Sequence, residues 1–241
     1  MDGTVPASQA KITTVDYQGV KFEVDSALGQ SIWPEVVAAL PPVNGEFSWE
    51  TRPEHIRFTL ASDGELGPFH GGGMNISGEP QIFIYPTQPF SAMDDIVKGE
   101  IEGLQALLEA RPASPDYEIA VLPLINAAQV FHVQLEYLDF QNGSGVRFVT
   151  HYSQEDVSRV TRDNIFYTFQ GLTPDGNYYV AAYFPISTAG LPDIPVEEDW
   201  EAALARRAAI ITQLHGLSSH EFEPDLDMLD RVIQSLVVNT R

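Results

Sequence analysis

The sequence contains no cysteine and few basic residues. Without thiols there is neither a disulfide framework nor thiolate chemistry, and cysteine usage gives no information on the redox compartment. Lysine and arginine together number 13 against 34 acidic residues, which gives a formal net charge of −21. Such a field repels nucleic acids and anionic membrane surfaces, so the charge argues against both as partners.

Long hydrophobic runs are also missing. No apolar stretch approaches the roughly 18 to 20 residues that a membrane-spanning helix needs. The opening MDGTVPASQ has neither the charged nor the apolar segment of a signal peptide, so residues 1–13 are interpreted as a polar leader. No internal repeat or long linker divides residues 14–241, which predicts a single domain.

Apolar and polar residues alternate in several short segments, as is typical of strands. The hairpin closest to the C-terminus carries bulky groups on both faces, which indicates a place in the middle of a sheet covered on both sides. The predicted strands are a strand or tight hairpin over 14–24, strands over 55–61 and 81–85, and two hairpins, 130–140 with 146–152 and 165–170 with 178–184.

The first of these two hairpins contains the dipeptide Asn142-Gly143. This dipeptide favours a type I′ turn, because both central positions of that turn need positive φ. The turn would place Tyr137 opposite Phe148. A three-residue loop, with a different register, is the alternative.

Apolar residues spaced by three or four predict helices elsewhere. The segment 197–215 is expected to bury one stripe, and the last helix begins near Pro224 with acidic residues in its first turn. The predicted helices are a short one within SIWPEVVAALPP, one over 94–109, one over 197–215 with the stripe Trp200, Leu204, Ala208 and Ile211, and the last one from Pro224.

Together these elements predict an α+β fold, in which an antiparallel sheet of hairpins is covered by helices as an α/β/α sandwich. The opening strand, with Tyr17, Gly19 and Phe22, and the closing LDRVIQSLVV resemble the PsbP-like α/β/α sandwich family. Residues 15–238, and above all the two hairpins, also resemble a group of exported bacterial proteins that are often lipid-anchored. This resemblance implies an extracytoplasmic protein, at the cell surface or secreted, with a possible lipid anchor in a segment before this chain.

PFHGGGMN contains a histidine followed by three glycines. It resembles the oxyanion-hole motif of lipases and esterases, which works together with a serine on a G-x-S-x-G elbow. The sequence has no such elbow, so a flexible glycine loop is the preferred interpretation. His70, Gly71, Gly72 and Gly73 remain candidate binding residues.

Two of the six histidines could approach each other across the first long hairpin. In the predicted register His151 lies opposite Gln134, so His132 and His151 are diagonal neighbours on one face of the sheet. No third metal ligand is evident, and both are therefore retained as candidate binding residues rather than as a metal site. The acidic EPDLDMLD lacks the glycine and spacing of an EF-hand, and a helix N-terminus explains it.

The leading prediction is a non-catalytic extracytoplasmic binding or accessory domain for an unknown protein or small-molecule ligand. No catalytic residue, cofactor or metal is assigned. The alternatives are a small esterase-like hydrolase built around His70 and a structural subunit of a membrane-associated complex. A pocket with converging polar groups would favour binding or catalysis, whereas an exposed apolar patch would favour the structural role.

Overall fold

The computed structural model describes residues 11–29, 31–42, 50–61, 78–155, 160–192 and 200–240. These residues form an α+β fold with ten strands and four α-helices. The strands are β1 (Ile12–Tyr17), β2 (Val20–Asp25), β3 (Ser31–Val37), β4 (His55–Ala61), β5 (Gln81–Pro86), β6 (Ala128–Phe140), β7 (Gly143–Ser153), β8 (Ile165–Leu172), β9 (Tyr178–Ile186) and β10 (Val237–Val238). The helices are α1 (Thr87–Ser91), α2 (Asp95–Ala110), α3 (Trp200–Gly216) and α4 (Leu226–Gln234).

The strands form two antiparallel sheets. The smaller sheet has the order β1-β2-β10, and the larger, seven-stranded sheet has the order β3-β4-β5-β9-β8-β7-β6. The two predicted long hairpins are confirmed as β6–β7 and β8–β9. The segment 14–24, predicted as a strand or a tight hairpin, belongs to the β1–β2 hairpin. The strands predicted over 55–61 and 81–85 are confirmed as β4 and β5.

The larger sheet is covered on both faces. Along β5, Ile82 and Ile84 belong to one hydrophobic core, whereas Phe83 and Tyr85 belong to a second core on the opposite face. The first core also contains the buried residues of α4, β2 and β10, and the second contains the buried residues of α2. Because side chains alternate along a strand, this division follows directly from the sequence of β5.

Two of the predicted helices begin at an aspartate that caps their first turn. The side chain of Asp94 accepts a hydrogen bond from the Ile96 amide at 2.7 Å, which caps α2. Asp225 accepts one from the Asp227 amide at 2.8 Å and caps α4, so the predicted acidic first turn is confirmed. Among the described residues, no helix is long and apolar enough to cross a bilayer.

The helix predicted within SIWPEVVAALPP was wrong, because this segment contains strand β3. The β-branched Ile32, Val36 and Val37 suit a pleated surface, and all seven residues of the strand pair with β4. Pro34 fits here because β3 is an edge strand, where a missing amide proton need not interrupt the sheet. Long-range pairing thus decides the structure of this segment.

The predicted register of the β6–β7 hairpin was also wrong. Phe140 pairs with Gly143, so the turn residues are Gln141 and Asn142, and Tyr137 faces Val146. The side chain of Asn142 is held by β10: its Nδ2 donates to the Val238 carbonyl at 2.7 Å, and its Oδ1 accepts from the Val238 amide at 2.9 Å. Gly143 belongs to the strand, where a Cβ would overlap the ring of Phe140.

Helix α3 is confirmed, but its predicted stripe was shifted. The buried residues are Ala203, Ile210 and Leu214, whereas Trp200 is 54% exposed. Alanine and isoleucine occupy adjacent positions in this helix, so two neighbouring stripes are similarly apolar. Packing against the sheet therefore selects the buried face.

Two glycines provide opposite tests of this packing. A Cβ at Gly103, in α2, meets no atom within 4 Å, whereas one at Gly145, in β7, would overlap the ring of Phe169. Gly103→Ala should stabilise the protein by about 0.5–1 kcal/mol through helix propensity. Gly145→Ala should destabilise it by about 1–3 kcal/mol through overpacking. Urea denaturation measures both, and changes of the same sign would contradict the packing described for these glycines.

Candidate functional site

A cleft of about 590 Å³ lies on one face of the larger sheet, beside the turn of the β1–β2 hairpin. We call it the edge cleft, because Val36 of the edge strand β3 is part of its lining. Its lining combines residues from both sheets with residues near the C-terminus. These residues are Gln18, Gly19, Val36, Glu54, His55, Ile56, Ile84, Pro86, Tyr178, Asn239 and Thr240.

One wall of the edge cleft is formed where the β1–β2 turn contacts the residues that follow β10. Gln18 and Gly19 form the hairpin turn with φ of 51° and 83°, the left-handed conformation that a two-residue turn requires. The Asn239 amide donates to the Gly19 carbonyl at 2.9 Å. A Cβ at Gly19 would lie 2.7 Å from the Asn239 carbonyl oxygen, so this close approach requires glycine.

The floor of the edge cleft is apolar and its rim is polar. Val36, Ile56 and Ile84 come from three neighbouring strands and lie on the same face, because each is the pairing partner of the next. Glu54 lies on the rim and is exposed, and Thr240 carries a buried Oγ1 that has no hydrogen-bond partner within the described ranges. An apolar floor with a few polar groups is the usual composition of a small-molecule site.

The opposite face of the same strands carries buried polar side chains, which we call the polar row. It consists of His55, Arg57 and Thr59 on β4 and Gln81 and Tyr85 on β5, each at most 5% exposed. Arg57 donates to one carboxylate oxygen of Glu35 on β3, from Nε at 3.0 Å and from Nη2 at 2.8 Å. The positive charge in the row is therefore paired.

His55 is held in one tautomer. Its Nδ1 lies 2.9 Å from the Pro53 carbonyl, which can only accept, so Nδ1 carries the proton and Nε2 presents a lone pair. The ring packs on Tyr85 with a centroid distance of 4.4 Å. Burial, reinforced by Arg57 and Arg52, lowers the pKa of His55 to about 4. At neutral pH His55 is therefore an uncharged hydrogen-bond acceptor.

A second buried polar network ties α4 to the larger sheet. The Tyr167 hydroxyl donates to Asp230 at 2.9 Å, and Arg147 Nε lies 3.4 Å from the same carboxylate. Arg147 also donates to Glu136 at 2.7 Å. Burial raises the pKa of Asp230 to about 6 despite the neighbouring arginine. These contacts orient α4 against the core of the larger sheet.

The predicted pair of histidines is not brought together. His132 pairs with Thr150 and His151 with Phe131, so the two rings lie on opposite faces of the sheet, and the predicted diagonal arrangement was wrong. The His132 ring nitrogens lie 3.2 Å from Gln129 Oε1 and 3.0 Å from the Pro115 carbonyl. His151 Nδ1 donates to the Asn164 carbonyl at 2.7 Å. Each histidine is thus bound within the protein on its own face.

The glycine-loop candidates lie outside the described residues. His70, Gly71, Gly72 and Gly73 all fall between residues 61 and 78, so their role in binding or hydrolysis stays a prediction.

The acidic segment before α4 brings three possible ligand atoms together. Side-chain atoms of His220, Asp225 and Asp227 lie within 4.8 Å of one another at the surface. Asp225 accepts from the Asp227 amide as helix cap and also contacts His220. Because capping already accounts for this arrangement, the segment remains a helix N-terminus, as predicted.

Comparisons with known proteins add no family to this description. No protein-family model matches the chain, and no curated protein matches it.

The site residues Val36, His55 and Tyr85 were not singled out from the sequence. The alternation His-Ile-Arg-Phe-Thr in β4 does place His55, Arg57 and Thr59 on one face, and this pattern could have indicated a buried polar row.

The buried imidazole predicts a pH-dependent loss of stability. Because the pKa of His55 is lowered from 6.5 to about 4 in the folded state, the unfolded state binds a proton first as the pH falls. The stability that the neutral His55 provides is present above pH 6.5 and is lost as the pH falls to 4, by about 3 kcal/mol. His55→Phe keeps an aromatic ring against Tyr85 and should remove this loss.

The measurement is the free energy of unfolding by urea from pH 7 to pH 4. His132→Phe is the matched control: burial also lowers the pKa of His132, but this histidine is less buried, so a smaller change in the pH dependence is expected. An unchanged pH dependence in His55→Phe would show that His55 is not the buried neutral group.

Proposed function

We propose that this protein is a non-catalytic, extracytoplasmic binding or accessory protein that holds a small ligand in the edge cleft. The observation that supports this most directly is the cleft itself, with an apolar floor of Val36, Ile56 and Ile84 beneath a polar rim. Its volume of about 590 Å³ is within the range of roughly 300–1,000 Å³ found for ligand sites.

The charge of the protein restricts the chemistry of this ligand. A net charge of −21 disfavours anions over the whole surface, and Glu54 adds a carboxylate at the rim. The amides of Gln18 and Asn239 offer both donors and acceptors. The ligand is therefore a neutral or cationic amphiphile, whose apolar part lies on the sheet and whose polar part meets the rim.

The proposal also includes the arrangement of the layers in the fold and the location of the protein. Burial of helical residues on both faces of the larger sheet supports an α/β/α sandwich of the PsbP-like kind. The resemblance of residues 15–238 to exported bacterial proteins supports an extracytoplasmic location. A lipid anchor in a preceding segment would hold the binding domain at a cell surface.

A structural subunit of a membrane-associated complex is the second candidate. It is favoured by the edge strand β3, where Trp33 is 52% and Val36 is 45% exposed. Exposed apolar residues at a sheet edge suit a protein partner. Pro34 between them lacks an amide proton, so contact through side chains is favoured over addition of a strand.

Filling the edge cleft tests the binding proposal. Val36→Trp should occupy the floor and lower the affinity for hexylammonium and hexyl glucoside at least about tenfold, since the probe loses its apolar contacts. Ile12→Trp is the matched control, because Ile12 is 56% exposed on another edge strand and lies outside the cleft lining.

Binding is measured from amide shifts in ¹H–¹⁵N spectra, with hexanoate as the anionic comparison. Shifts at Ile56, Ile84 and Tyr178 that disappear in Val36→Trp support the edge cleft as the site. Equal binding by Val36→Trp and the original protein would contradict it. Shifts confined to β3 upon self-association would favour the structural role.

A further inference from the structure

The polar row contains four buried polar atoms that lack a partner among the described residues. They are His55 Nε2, Thr59 Oγ1, Gln81 Oε1 and the Tyr85 hydroxyl. Buried polar groups are nearly always hydrogen-bonded, because an unpaired one costs about 1–3 kcal/mol. Four such atoms on one face of two neighbouring strands are therefore a marked concentration, and they indicate a site.

The four atoms lie in two pairs. Thr59 and Gln81 are direct pairing partners across β4 and β5. The next pair of residues on this face along the two strands is Arg57 and Phe83. His55 and Tyr85 follow after it, and the centroids of their rings lie 4.4 Å apart. The strand rise of about 3.4 Å per residue separates the two pairs by about 13–14 Å.

The hydrogen-bonding capacity of each pair restricts what can bind there. His55 Nε2 and Gln81 Oε1 only accept, whereas the hydroxyls of Tyr85 and Thr59 can donate. A partner of either pair must therefore donate to the ring nitrogen or amide oxygen, and it accepts from the hydroxyl whenever that hydroxyl donates. A hydroxyl group does both.

Charge excludes ionic ligands from the row. The guanidinium of Arg57 is already paired with Glu35, and the Nδ1 proton of His55 is held by Pro53. A buried ion would add an unpaired charge, which costs far more than a neutral group. The ligand must be neutral.

We propose that the polar row binds neutral hydroxyl-bearing molecules, either ordered water or a small polyol, between His55 Nε2 and the Tyr85 hydroxyl and between Thr59 and Gln81. This site lies on the face of the sheet opposite the floor of the edge cleft. His55 also lines the edge cleft, whereas Thr59, Gln81 and Tyr85 do not, so substitutions of these three residues test the polar row separately from the cleft.

The sign of a stability change tests the proposal. If the Tyr85 hydroxyl is hydrogen-bonded to a bound molecule, Tyr85→Phe loses that bond and the unfolding equilibrium constant rises about 2–13-fold. Tyr179→Phe is the matched control, because Tyr179 is the pairing partner of Tyr85, is equally buried, and donates to Gln170 at 2.7 Å. A Tyr85→Phe protein that is more stable than the original would overturn the proposal, since the hydroxyl would then be an unpaired group.

Thr59→Val repeats the test at the other pair with a side chain of similar shape. An increase in the unfolding constant is again expected, and a decrease would argue against bound hydroxyl groups there. Neither variant enlarges a side chain, so both should fold.

The identity of the bound molecule is read from the full chain by NMR. A saturable shift of the His55 ring protons with glycerol, absent in Tyr85→Phe, identifies a polyol. A nuclear Overhauser effect between bound water and the Tyr85 hydroxyl proton, without a response to glycerol, identifies ordered water. Absence of both signals would overturn the proposal.

Discussion

The central strands of the larger sheet must be covered on both faces, and the rest of the structure depends on this constraint. All eight residues of β8 are buried, and its neighbour β9 is nearly as enclosed. One face is closed by α2, and the other by α3 and α4 together with the smaller sheet. The contact between the β1–β2 turn and Asn239, which forms one wall of the edge cleft, follows from this second closure.

The same burial forces polar groups of the sheet to find partners inside the protein. The side chain of Gln170 is hydrogen-bonded in this way. Its Oε1 accepts from the Leu122 amide at 3.0 Å and from the Tyr179 hydroxyl at 2.7 Å. Its Nε2 donates to the Thr168 hydroxyl at 2.8 Å. The polar row lies on the same face and is as deeply buried, yet four of its atoms lack such partners within the described ranges. Satisfied networks such as that of Gln170 hold the fold together, so the polar row is the better candidate for binding.

Local patterns predicted much of this fold, and they failed where distant contacts decide. The residues of β4 alternate and those of α2 follow a helix cap with helical periodicity, so the structure of each element can be predicted from its own sequence. In contrast, β3 is extended because it pairs with β4. The register of β6 shifts at two irregularities, between Gln129 and Phe131 and between Val133 and Glu136. A shift of one residue moves a side chain to the other face, which is why the two histidines are separated.

A buried acid, Asp230, and a buried base, His55, affect the stability of the protein in opposite directions as the pH changes. The pKa of Asp230 is raised from 3.8 to about 6, so its contribution is present below pH 3.8 and is lost as the pH rises through 6. The contribution of His55 is present above pH 6.5 and is lost as the pH falls through about 4. The two windows overlap between about pH 4 and pH 6, so the two effects oppose each other there. The pH profile of the unmodified protein therefore combines both groups, and a comparison between variants separates them.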